Sequence, residues 1–397
     1  MGFRRLFSRS VRGAERLRRR VQKEAYAQRD VLTPQARETL SAAIYELRTA
    51  IASNKDAEVI SGFARSLVRA EQTWLRRYSH RLWRSNTELL LVAVTVAVTI
   101  RTFFFQPYRI PTGSMEPTLY GMTAVDLRDQ QPGAAIPGPF ARLFEKCVKG
   151  VSYCHVVAQS DGMFESFEPP RPILPLLQRQ RFKVGDRWYS VWSSWDKLLE
   201  RAGLDPGRSY HKGDDIVKAR IATGDHVFVD RLTYNFRRPI RGELVVFDTK
   251  GLRNPANGEP IVSPDTFYIK RLVATGGERI QIGNDRHLTV NGRRLDRTDS
   301  HFEGVYSFDP KQAPKPAAYS GHLNDRTAAR YGRRGLAPLF PDATATFTVS
   351  PDHYFVLGDN TLESWDGRAW GDFPRTNVVG RFWFVYWPMN RFGCRAP

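Results

Sequence analysis

One run governs how this 397-residue chain can fold: Leu89–Phe105, apolar apart from its threonines and Arg101. By length alone its uninterrupted part, Leu89–Ile100, suits a buried core helix as well as a membrane span. Its flanks favour the membrane. Arg76, Arg77, Arg81 and Arg84 crowd the N-terminal side, Arg101 can snorkel, and Phe103–Phe105 with Tyr108 form an aromatic belt at the far end. Residues 1–86 hold 19 Lys/Arg against 8 Asp/Glu, so +11 of the formal +19 precedes the run. Basic residues on one side of an apolar segment predict that side to be cytoplasmic and everything after about residue 106 to lie outside. The run lies too far from the N-terminus for a cleaved signal peptide, so a signal-anchor topology is expected.

A net charge of this size suggests nucleic acid or an anionic membrane surface as partner. The arginines of 8–25 lack interleaved aromatic residues, and the adjacent span explains them better through anionic lipid; no nucleic acid is expected. Read blandly, residues 1–30 are a solvated basic arm, and a mitochondrial presequence has a similar composition. Thr33-Pro34 is a helix start, and Leu40, Ile44, Leu47 and Ile51 repeat at helical spacing through about Ser53. Asp56 can cap a second helix bearing Val59, Phe63 and Leu67, so a helical hairpin is expected in this region.

Just beyond the span stands Ser114, after Thr112 and Gly113 and before Met115, with Pro111 and Pro117 fixing the backbone on both sides. A nucleophilic hydroxyl there would work at a membrane surface, although a serine in a turn is ordinarily only a turn residue. Further on the chain reads as short strands: 226–232, 243–248, 267–274, 278–282, 287–295 with an Asn291-Gly292 hairpin turn, 353–359 and 381–387. No amphipathic helices intervene, which predicts a mostly antiparallel β-sheet or barrel-like assembly. Two Pro-, Arg- and Gly-rich segments, about 121–215 and 297–350, interrupt it and read as surface insertions. The expected domains are therefore 1–86, helical and cytoplasmic; 87–106, the span; and 107–397, an extracytoplasmic catalytic domain.

Three cysteines build no disulfide framework; Cys147 and Cys154 are close enough to pair or to remain two unrelated thiols, and Cys394 has no evident partner. No CxxC or HExxH pattern suggests a metal. A serine nucleophile needs a base. His226, His287 and His353 each sit within a β run and read as structural. A neutral lysine can serve instead, but its ordinary pKa of ~10.4 must fall by about two or more, roughly 3 kcal/mol against the ammonium form. Lys270 is the candidate, because strand alternation turns it away from both Ile269 and Arg271. A strand lysine is otherwise a solvated residue.

Four segments alter that balance when read together. PTGSMEPTL (111–119), GDHVFVDRLTY (224–234) with RGELVVF (241–247), YIKRLVATGGERI (268–280) and GDNTLESWDGRAWG (358–371) resemble, in order, the boxes of bacterial type I signal (leader) peptidase, a Ser–Lys serine protease family. The preceding IRTFFFQPYRI looks like that family's exit from its anchor. The resemblance covers under half of the chain. It implies Ser114 as nucleophile, Lys270 as general base, and the Ser114 N–H with the Thr112 hydroxyl as oxyanion hole. It further implies that Ser364 orients Lys270 and that Asp366 and Arg368 form a structural ion pair, with Gly358, Asp359 and Asn360 shaping their loop. Ile110, Met115, Leu119 and Ile269 would wall small apolar pockets that accept alanine-like residues. The implied activity is removal of signal peptides from secretory preproteins at a bacterial cytoplasmic membrane, without metal or cofactor. One position departs: the family usually has SxDSR, and here Gly367 replaces the second serine. A membrane-tethered binding protein of the same fold, catalytically impaired, is the alternative that Gly367 keeps open.

Overall fold

The computed structural model describes residues 9–53, 55–76, 81–128, 135–169, 171–174, 177–193, 207–253, 258–260 and 266–393, so Arg77 and Cys394 lie outside the described residues. The chain divides into two compact units, Met1–Val94 and Thr95–Pro397.

The first unit is a three-helix assembly: α1 (Arg9–Ala27), α2 (Pro34–Ala52) and α3 (Ala57–Trp74). Thr33 caps α2 as expected, its side chain accepting from the Ala36 amide with Pro34 in the first turn. The predicted hairpin is incomplete without α1, which packs Ala14 and Val21 against Leu40, Leu47, Ile60 and Leu67. The arginine-rich segment is thus a helix with a buried stripe rather than only an arm. Its apolar residues are few and small, and arginines obscure their spacing. Arg20 pairs with Glu71 at 2.8 Å, tying α1 to α3. The buried Gln28 side chain donates to Arg76 O (3.1 Å) and accepts from Arg76 N (3.0 Å), closing the bundle's end.

Helix α4 (Arg81–Phe103) contains the one segment among the described residues that is long and apolar enough to cross a membrane, Asn86–Phe103. At ~1.5 Å per residue these 18 residues rise about 27 Å, close to a hydrocarbon core. The helix stops sooner than sequence suggests because Phe105–Arg109, strand β1, pairs with His226–Asp230.

The remaining strands, in chain order, are β2 (Thr123–Asp126), β3 (Val151–Val157), β4 (Gly162–Phe167), β5 (Arg171–Leu174), β6 (Leu177–Val184), β7 (Arg187–Ser193), β8 (Ser209–Tyr210), β9 (Asp215–Ala222) and β10 (His226–Asp230). They continue as β11 (Leu244–Asp248), β12 (Phe267–Thr275), β13 (Arg279–Ile282), β14 (Leu288–Val290), β15 (Arg293–Arg294), β16 (Thr346–Thr348), β17 (His353–Leu357), β18 (Phe373–Pro374) and β19 (Val378–Trp387). A seven-stranded antiparallel sheet in the order β1-β10-β19-β11-β12-β17-β18 forms the frame, and β15-β14-β13-β16 forms a second sheet. This is the mostly antiparallel β architecture that the short aromatic and β-branched runs predict. The Asn291-Gly292 turn, with φ of 51° and 83°, joins β14 to β15 as its sequence requires.

The two interrupting segments are not loose surface loops. The first builds the sheets β2-β9-β3 and β5-β6-β4-β8, with β7 on β6, over a core that includes Phe164, Phe182, Tyr210, Ile216 and Val217. The second is largely irregular, yet it sends Phe302, Val305, Tyr306, Ala337 and Phe340 into the core beneath β13, β14 and β17. Irregular backbone carries no periodicity, so its buried side chains give no signal in sequence. Replacing fully buried Phe340 by Ala is therefore expected to cost about 3–5 kcal/mol in denaturant unfolding, whereas a surface insertion would give about 0.5 kcal/mol or less.

Candidate active site

Strand β1 delivers the chain from α4 to a single 3₁₀ turn, Gly113–Met115, that carries Ser114. Thr112 is extended (φ −126°, ψ 154°), which starts the turn, and Glu116 returns its amide to Gly113 O. The turn is held from below and from the side. Ile110, Met115 and Leu119 bury against Val227, Val229, Leu244 and Phe382. These three expected pocket walls are therefore core residues that fix the turn, and Ile269 packs half-buried at the edge of the same cluster. From the side, Asn360 donates its amide to Ser114 O (3.1 Å) and its Nδ2 to Gly113 O (2.9 Å).

Strand β12 places Lys270 opposite Val245 of β11, with its side chain buried. Lys270 Nζ lies 2.5 Å from Ser114 Oγ. Burial pulls the amine down to about 8; Asp366 and Asp359 work against that shift and Arg368 works with it. An ammonium that is costly to keep is an amine able to accept a proton near neutral pH. Thr112 Oγ1 is 3.4 Å from Ser114 Oγ, on the same turn.

The next residue on the strand meets the opposite condition. Arg271 is fully buried but faces Asp359 bidentately, Nε to Oδ1 and Nη2 to Oδ2, both at 2.7 Å. Asp359 also accepts from Thr118 Oγ1, and Thr118 is hydrogen-bonded to the Tyr319 hydroxyl at 2.9 Å. Arg271 Nη1 further donates to Gly242 O (2.9 Å) and His301 O (2.6 Å). Tyr319 and His301 both belong to the second interrupting segment. Sequence reasoning missed Tyr319, Thr118 and Arg271 as parts of the site. A buried-strand arginine beside a candidate base is the signal that could have found the last, since such a cation demands a carboxylate.

Asp366 and Arg368 form a second fully buried pair, with Nε to Oδ1 and Nη2 to Oδ2 both at 2.9 Å. Burial alone would raise the Asp366 carboxyl, but Arg368, Lys270 and the Gly358 amide bring it below the ordinary carboxylate range. Arg368 also donates to Thr361 Oγ1 (2.8 Å), Thr361 O (2.9 Å) and Ser364 O (3.3 Å), which shapes the loop bearing Ser364. The Ser364 hydroxyl is buried without a hydrogen-bond partner, so its expected bond to Lys270 is not made here. It sits over Gly358 so closely that a Cβ at 358 would lie 2.1 Å from Ser364 Oγ and 2.5 Å from Ser114 O.

The expected histidines stay within their strands' surroundings. His226 bonds Tyr386 (3.4 Å), His287 bonds Asp285 O (2.9 Å) and His353 bonds Pro351 O (2.9 Å). Cys147 and Cys154 are both free thiols.

Gly367 has a local explanation. A Cβ there would lie 2.8 Å from the Phe355 ring and 2.8 Å from Val356 O, so a serine cannot enter without moving β17 or the ring.

A sequence model of the family described as signal peptidase, peptidase S26, matches residues 83–128 and 215–387. A curated signal peptidase I of Leptolyngbya laminosa is 27% identical over 45% of this chain and 67% of its own length. Signal peptidase I of Bacillus caldolyticus is 28% identical over 54% of this chain and 98% of its own. A probable signal peptidase I-2 of Synechocystis is 25% identical over 44% of this chain but 60% of its own, so the chain spans less than two thirds of that relative. The crystal structure of a signal peptidase I from Enterococcus faecalis aligns at 23% identity over 36% of this chain and 97% of that one, with a TM-score of 0.23.

The Gly367 contact makes a definite prediction. Gly367→Ser should destabilise the chain by about 1–3 kcal/mol in thermal unfolding through overpacking. Adding Phe355→Leu should recover part of that loss; strictly additive costs would show that the ring is not the obstacle.

Proposed function

The chain belongs to the signal peptidase family of peptidase S26, a family of serine peptidases, and we propose that it is a membrane-anchored endopeptidase removing signal peptides from secretory preproteins through Ser114 and Lys270. The observation that carries this reading is the 2.5 Å approach of a buried Lys270 amine to the Ser114 hydroxyl. An impaired binding protein is the alternative reading; against it stands the same approach of Lys270 to Ser114.

Neutral Lys270 takes the Ser114 proton as Oγ attacks the scissile carbonyl. The carbonyl oxygen becomes an oxyanion, which the Ser114 N–H and the Thr112 hydroxyl stabilise. Lys270 returns the proton to the departing amine, leaving an acyl group on Ser114. A water molecule then gives its proton to Lys270 and attacks the ester, which frees the signal peptide's new carboxylate and restores the hydroxyl. Asp366 and Arg368 hold the Ser364 loop, and Ser364 orients Lys270 once the amine changes protonation. Ile269 contributes to a wall that admits small residues of an Ala-X-Ala junction, while Ile110, Met115 and Leu119 shape that wall from beneath. No metal or cofactor enters these steps.

The N-terminal unit lies in the cytoplasm, where its basic surface meets anionic lipid. Helix α4 crosses the bacterial cytoplasmic membrane once, and the β unit works outside. This follows the domain division 1–86, 87–106 and 107–397.

The test is cleavage of a preprotein with an Ala-X-Ala junction in liposomes. Wild type should cut at the junction, and Ser114→Ala and Lys270→Ala should each lose about 10²–10⁴-fold or more. Loss in Ser114→Ala alone would keep the nucleophile but require another base. Because the active form is the free amine and its pKa is about 8, kcat/KM should climb about tenfold per pH unit below 8 and level off above it. A profile flat from pH 6 to 9 would contradict Lys270 as the base, those limits bracketing the value of about 8.

A further inference from the structure

Helix α5 (Pro139–Phe144) exposes Phe140, Leu143 and Phe144 at 89%, 60% and 60%, at spacings that put them on one side. Large apolar groups gathered in this way mark a contact surface rather than a solvated one. Cations surround them: Arg142, Lys146 and Lys149 are exposed, while the nearby Glu145 is taken up by Lys149 (3.0 Å) and Tyr153 (2.8 Å). Apolar groups ringed by cations suit a membrane interface with anionic headgroups.

Position supports the same partner. The turn after α5 is pinned to the end of β19, where Trp387 Nε1 donates to Cys147 O at 3.0 Å. Beside it Met389 and Phe392 are 59% and 61% exposed. From Phe392 a ladder of rings runs to Phe384 (5.8 Å), Trp383 (4.8 Å), Phe105 (4.4 Å, stacked) and Phe104 (6.5 Å), the residue that follows α4. Aromatic rings thus run from the end of α4 to Phe392, at the end of the 3₁₀ turn that follows the Trp387 anchor of the α5 segment. The family model matches residues 83–128 and 215–387, so α5 lies outside the matched residues.

We propose that α5 is a second membrane contact, lying in the interface of the leaflet on the catalytic side, with Phe140, Leu143 and Phe144 among the acyl chains and Arg142 and Lys146 at anionic headgroups. This rests on the membrane-anchored reading above. The foot would hold the β unit to the surface where membrane-embedded preproteins arrive.

Cys147, exposed and one turn beyond Phe144, is a built-in probe. Burial pushes the Cys154 thiol up to about 11, so it stays unreactive near neutral pH. The full chain carrying Cys394→Ser is labelled at Cys147 with a polarity-sensitive fluorophore and reconstituted in phosphatidylcholine/phosphatidylglycerol vesicles. Blue-shifted emission, quenched by lipid brominated near the headgroup and lost in Phe140→Glu/Phe144→Glu, is the expected result. That double variant should also cut a vesicle-embedded preprotein several-fold more slowly while cleaving a short soluble peptide at the wild-type rate, which shows that it is folded. If the chain floats with the vesicles but the label stays water-like, the foot is overturned and the anchor stands. Emission that is blue-shifted equally in detergent and blind to brominated lipid would mean that α5 is covered by protein, which also overturns the proposal. A chain that does not float overturns the anchored reading and the foot together.

Discussion

Two adjacent cations on one strand are both buried, and one carboxylate separates their fates. Arg271 meets Asp359 bidentately and keeps its charge. Lys270 has no ion-pair partner among the described residues and meets a serine hydroxyl instead, so burial works against its proton. Desolvation is common to both; only compensation differs. The seven-stranded sheet supplies this contrast by alternation, since residues 270 and 271 face opposite sides of β12. The candidate base and the brace of its own strand are therefore neighbours in sequence and opposites in chemistry.

Much of this was legible. The strands of the frame announce themselves through β-branched and aromatic runs, and the Asn291-Gly292 turn through the backbone it needs. The apolar helix over Asn86–Phe103 was legible from its composition. The pairing of Ser114 with Lys270 rested on motif order, because 156 residues separate the two and no local pattern brings them together. Helix α1 stayed hidden beneath its arginines. The segment 297–350 was misread because glycine and proline signal irregular backbone without saying whether it is buried. Ile110, Met115 and Leu119 were read as pocket walls although their apolar side chains turn inward to hold the turn.

The position that departs from the family pattern shows how a motif should be read. Gly367 in isolation looks like a lost hydroxyl. Next to Phe355 it is a position without room for a side chain, because a fully buried ring takes that volume. Close packing makes such positions interdependent, so a single missing motif residue says little until its neighbour is known.

The second interrupting segment touches the residues that surround Ser114 and Lys270 at four points. His301 O receives Arg271, Tyr319 reaches Thr118, the Leu323 amide donates to Thr361 Oγ1 (3.1 Å), and the Leu339 amide donates to Arg368 O (3.1 Å). A coil wired in this way cannot open while the site stays closed. Hydrogen bonds of this kind tie residues 297–350 to the loops bearing Thr118 and Thr361, so these stretches are expected to open as one unit. The irregular segment acts as a lock on the site's order, and its integrity limits how long the Ser114 turn keeps its shape.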